Sequence, residues 1–171
     1  KCGSECNMGG GLTALGSIVC AVSGGSIEFS LNEASSEMGK GGGALLFGPS
    51  PSALWARGNA SRITFRGNSA ETNGGGLVTD GRNEIAVTGG ARLMFEVNSA
   101  GHSGGALFIE SSTSFLSDKE SSILFLGNSA GQNGGGLASI GGAIVHLHGK
   151  NRFENNTAAG GAGGAIAAPK H

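Results

Sequence analysis

The stretch FRGNSAETNGGGL, Phe65 to Leu77, returns as FEVNSAGHSGGAL from Phe95 and as FLGNSAGQNGGGL from Phe125. Near-copies 30 residues apart are units of construction, and a repeat of this length marks a solenoid or a similar array. The F-x-x-N half occurs five times, at Phe29/Asn32, Phe65/Asn68, Phe95/Asn98, Phe125/Asn128 and Phe153/Asn156. The glycine half, G-G-[GA]-[LI], begins at Gly9, Gly42, Gly74, Gly104, Gly134 and Gly163, at intervals of 33, 32, 30, 30 and 29 residues. The intervals make about five rungs.

Glycine at 35 of 171 positions disfavours helix, because each interior Gly costs about 1 kcal/mol there. Short alternating segments predict strands instead. Two positions before each Phe stand Ile27, Ile63, Leu93, Ile123 and Asn151, on the same strand face as the Phe. Ten positions before it stand Val19, Trp55, Ile85, Phe115 and Ala143, a second apolar column. A third is formed by the residues closing the glycine elements: Leu12, Leu45, Leu77, Leu107, Leu137 and Ile166. Three short strands per rung of about 30 residues, each with one inward column, describe an all-β chain coiled as a right-handed parallel β-helix. In that coil the Phe residues stack inside, and Asn side chains link rung to rung as in cross-β Asn ladders. The motif Asn is also expected to take the left-handed backbone of a sharp corner, which this residue type tolerates.

Net charge is −1, and no basic stripe runs along the chain, which argues against a nucleic-acid footprint. No run of 18 apolar residues is present to span a membrane as a helix. The sequence starts at Lys1 rather than Met and reads as one β-helix segment, residues 1–171, of a longer protein. Cys2, Cys6 and Cys20 form an odd set, so any disulfide among them leaves one thiol free or bonded elsewhere.

FRGNSAETNGGGL, FLGNSAGQNGGGL and the closing GGAI at Gly163–Ile166 resemble the F-x-x-N and G-G-A-[ILV] repeats of chlamydial polymorphic membrane proteins. Similar repeats occur in large extracellular proteins of algae and other protists. The resemblance runs from about Gly9 to Ile166, although several elements read G-G-G-L. It implies a β-helical passenger at the cell surface that acts in adhesion, with the Phe/Asn pairs and glycine elements at the motif positions. The partner implied is a cell-surface receptor or glycan, or further copies of the protein stacked end to end.

Two sequons, Asn59-Ala60-Ser61 and Asn155-Asn156-Thr157, are acceptors if the chain is secreted by a eukaryote. Asp80 and Glu110 hold the same slot after consecutive glycine elements, a pairing able to bind a cation or serve as an acid/base pair. Counting from Phe125 and Phe153 sets Asp118 and Glu120 one rung before His146 and His148, either a His/carboxylate metal patch or plain cross-strand pairs on a solvent face. No nucleophile triad and no phosphate loop is present, so neither an enzyme nor a cofactor is expected. The reading favoured is an extracellular or cell-surface adhesin-type passenger or stalk. A structural subunit of a glycosylated extracellular filament comes second, and a β-helix polysaccharide lyase or epimerase third.

Overall fold

A computed structural model of the chain describes residues 10–35, 40–48 and 50–168. These form an all-β solenoid of about five turns in which every strand pairs in parallel with the equivalent strand one turn away. The third rung shows the plan: Leu77–Asp80, Glu84–Thr88, Arg92–Glu96 and the two-residue strand Ser99–Ala100. Each belongs to a different sheet, of six, five, five and five strands respectively. The fourth sheet goes beyond the three strands per rung predicted from sequence. It is built from the pair of residues that follows the Asn corner, whose Ala is buried in four successive rungs at Ala34, Ala70, Ala100 and Ala130.

Phe29, Phe65, Phe95, Phe125 and Phe153 occupy one register position in the third sheet. Their rings stack with centroids 4.6–5.0 Å apart and planes within 7–11°. The middle three are fully buried. The second column needs correction. Val19, Ile85 and Phe115 are in register with Leu54 and Val145, not with Trp55 and Ala143. Counting back from Phe fails there because the turn at residues 58–61 is one residue longer than the turn at 89–91, and the link at 148–149 is two residues shorter than its equivalent at 118–121.

The glycine element also shifts in the second rung. Ala44, not Leu45, pairs with Leu12 and Leu77, so the element begins at Gly41. Leu45 turns outward and joins Val78, Phe108 and Ala138 in a small second cluster. With that register each position has its own cause. The first glycine (Gly41, Gly74, Gly104, Gly134, Gly163) has φ between 57° and 71°, which L-residues with a side chain rarely adopt. At the second, a Cβ on Gly75 would stand 2.2 Å from the Ser99 carbonyl oxygen of the next rung. The third accepts Ala, as fully buried Ala106 shows.

The Asn ladder is directional, and it is complete in the three central rungs. Asn98 Nδ2 donates to Asn128 Oδ1 of the next rung (2.9 Å) and to the Phe65 carbonyl of the previous one (3.0 Å). Its Oδ1 accepts from both the backbone N–H and the Nδ2 of Asn68, each at 3.0 Å. Asn68 and Asn128 repeat the arrangement, so each of the three amides uses two donors and two acceptor sites. All three are at most 1% exposed, and a network satisfied at that depth strengthens and specifies the packing. The two end members differ from them. Asn32 gives its backbone N–H and its Nδ2 to Asn68 Oδ1, each at 3.0 Å, but is only half-buried. Asn156 receives the chain from Asn128, donates to the Phe125 carbonyl at 2.9 Å and is likewise half-buried.

The left-handed corner lies one residue earlier than expected. It falls on Leu31 (φ 55°), Gly67 (61°), Val97 (54°), Gly127 (63°) and Asn155 (52°). The motif residues Asn32, Asn68, Asn98, Asn128 and Asn156 keep negative φ, so the expectation that they take the left-handed backbone is wrong at all five. The side-chain amide, and not a tolerance of the backbone, accounts for Asn at these positions. Glycine suits the true corner, whereas β-branched Val97 is strained there and 65% exposed. A second misfit lies inside, where the Thr79 hydroxyl is fully buried without a partner in the inward column that also holds Leu46 and Ile109.

Three outcomes are expected from denaturant unfolding. Asn98→Ala leaves the Asn68 backbone N–H and one Asn68 Nδ2 proton without their acceptor and takes one of two donors from Asn128 Oδ1, lowering stability by about 3 kcal/mol or more. Thr79→Val keeps the shape and removes the unpaired hydroxyl, raising stability by about 1 kcal/mol. Val97→Asn, which copies the corner at Asn155, relieves the left-handed strain and gains about 1 kcal/mol. An unfolding midpoint that moves the other way refutes the corresponding contact.

Candidate recognition surface

The repeat motif itself is not on the surface. In the central rungs the Phe and Asn of F-x-x-N are buried, so they build the rung and leave contact to the two residues between them. At the ends of the coil Phe29, Asn32, Phe153 and Asn156 are half-buried, and they still stack or bond onto the neighbouring rung. The exposed or half-exposed pairs between Phe and Asn differ from rung to rung: Ser30-Leu31, Arg66-Gly67, Glu96-Val97, Leu126-Gly127 and Glu154-Asn155. What repeats faces in, and what varies faces out.

The candidate chemical groups are placed as follows. Asp80 and Glu110 do hold equivalent positions in the first sheet, Asp80 as the last residue of its strand and Glu110 just past the end of the next. Each already has a protein partner: Lys40 Nζ lies 2.5 Å from Glu110, and the Ser111 hydroxyl donates to Asp80 at 3.2 Å. The His/carboxylate patch does not form as counted. His146 pairs with Leu116, two residues before the expected Asp118, because the two-residue deletion follows the strand. Asp118 instead folds onto its own turn, accepting from the Ser121 hydroxyl (2.7 Å) and the amides of Gly89, Glu120 and Ser121. The Ser121 hydroxyl, then the Gly89 amide, hold its carboxyl below the usual range. The stability this contributes is present above the ordinary carboxylate pKa and is lost as pH falls through the lowered one. Among the described residues no three His, Cys, Asp or Glu side chains converge as metal ligands.

Cys20 is a free, exposed thiol, while Cys2 and Cys6 lie outside the described residues. Both sequon asparagines, Asn59 and Asn155, are exposed on corners.

Two features of the outer faces escaped the sequence. On the second sheet Trp55 points outward beside an open cleft of about 430 Å³, rimmed by Pro51, Ala53, Arg82 and Ser114. Its Nε1 donates to Glu84 (3.0 Å), and the Arg57 guanidinium sits 3.6 Å from the ring centroid, so the indole is fixed by a hydrogen bond and a cation–π contact. On the third sheet, register stacks Ser26, Arg62, Arg92, Ser122 and Lys150 in one outward column. These residues are about 30 apart in the chain, so no local run of basic residues announces them. Alignment on the Phe three positions later reveals the column.

The model of the Chlamydia polymorphic membrane protein repeat matches residues 62–80 and 152–169. No curated protein and no solved structure matches the chain. Each matched stretch runs from a third-sheet strand through the Asn corner to the glycine element and the first-sheet strand of the next rung. The ladder, the stacked Phe and the glycine corner are therefore the structural content of the motif, and two stretches of this β-solenoid match the Chlamydia polymorphic membrane protein repeat.

Proposed function

We propose that the solenoid is an attachment surface at the outside of a cell, a passenger or stalk whose rungs hold variable corners in a fixed array. The observation that carries this reading is the division of F-x-x-N into a buried, constant pair and an exposed, variable pair. A rigid rung that varies only at its rim suits recognition, because the scaffold tolerates changes there that the ladder forbids inside. The repeat shared with Chlamydia polymorphic membrane proteins supports a surface setting. The Lys40 ion pair on Glu110 and the Ser111 hydrogen bond on Asp80 favour binding over glycan cleavage.

Beads coated with the chain test the reading on cultured epithelial cells. Attachment is expected to exceed that of albumin-coated beads, to be competed by soluble chain, and to fall at least about threefold in a variant with Arg66→Ser, Glu96→Ser and Val97→Asn. Attachment no better than albumin, with the folded state confirmed by circular dichroism, overturns it.

A further inference from the structure

From the outer face of the third sheet we infer a binding site for a sulfated linear polysaccharide, centred on Arg62, Arg92 and Lys150. The inference names a ligand class for the attachment surface and takes its biological setting from that reading.

The first support is where unpaired positive charge collects. Nine Lys and Arg residues lie among the described residues. Lys40, Arg57, Arg66 and Arg152 are in ion pairs with Glu110, Glu84, Glu96 and Glu154. Of the five others, Arg62, Arg92 and Lys150 stand in a single register column, while Arg82 and Lys119 lie elsewhere. All three are exposed. Arg62 and Arg92 are direct cross-strand neighbours, a placement that costs stability through like-charge repulsion. The ladder needs nothing there, since Ser fills the same slot at Ser26 and Ser122.

The second support is shape. Beside the column runs an open groove of about 250 Å³ lined by Arg92, Met94, Ser122, Leu124, Lys150 and Arg152. Three cationic heads span about 14 Å along the axis, at about 4.8 Å per rung, with apolar stems and Met94 and Leu124 between them. A straight chain with anionic groups at intervals and apolar sugar faces between them fits both parts. A nucleic acid fits less well. The outward positions of this sheet carry no aromatic ring on which bases could stack.

The measurement uses a fluorescent heparin hexasaccharide, with its unsulfated heparosan counterpart and a 20-base-pair DNA duplex as comparisons. Saturable binding of the sulfated hexasaccharide at 50 mM salt is expected, with affinity falling roughly tenfold or more by 200 mM. The triple variant Arg62→Ser/Arg92→Ser/Lys150→Ser is expected to lose at least about tenfold. The control Arg82→Ser/Lys119→Ser, which removes unpaired cations outside the column, loses less than about twofold. No saturable binding of the sulfated sugar, equal losses in the two variants, or DNA bound as tightly as heparin overturns the inference. Bead attachment that persists on cells stripped of sulfated glycans removes this ligand and leaves the attachment reading standing.

Discussion

The rest of the solenoid depends on one buried hydrogen-bond chain. Each central Asn amide reaches forward to the next rung and back to the carbonyl of the previous Phe, so rung spacing and register are set together. An Asn buried in the core without partners would cost a few kcal/mol, and here every donor and acceptor of the three central amides is used. The Phe stack alongside supplies apolar burial but no direction. The ladder supplies direction, because an amide turned end for end would set donors against donors. That polarity is why the same tripeptide, Asn-Ser-Ala, can follow the corner in three successive rungs and pair as a fourth sheet.

A coil stabilised this way is nearly one-dimensional, each rung resting on its neighbours. Sequence is then free wherever a side chain points away from the axis, and the outer faces show it. The second rung adds one residue in a turn and the fifth drops two, without disturbing Phe or Asn. The second rung carries Trp55 outward where one extra residue moves Leu54 into the core. Strain is tolerated at the rim as well, with Val97 holding a backbone that glycine holds one rung either side.

The F-x-x-N spacing made the Phe column, the Asn ladder and the parallel coil legible, because one residue type recurred at one register position. Failures came where a turn changed length. Trp55, Ala143 and the Asp118–His146 pairing were each displaced by one or two residues, and counting along a chain has no means of locating an insertion between two fixed points. Leu45 was misplaced for a related reason: GGGAL contains two readings of the glycine element, and only pairing with Leu12 and Leu77 chooses Gly41. The left-handed corner was misplaced for a different one. Asn32 and Asn98 tolerate such a backbone better than the Leu31 and Val97 that hold it, so residue preference pointed one position too far along. The two-residue Ser-Ala strand was too short to show periodicity. The basic column was legible only after alignment, since its members are as far apart in sequence as the rungs themselves.

The central claim is that the Asn side chains form a closed, buried ladder which opens only when the whole coil unfolds. Hydrogen exchange of the side-chain Nδ2 protons, followed by NMR with resolved Asn resonances, tests it most directly. Both Nδ2 protons of Asn68, Asn98 and Asn128 should exchange at the rate of global unfolding, with those of exposed Asn59 exchanging at solvent rates. Exchange of the ladder amides as fast as that of Asn59 would contradict the account.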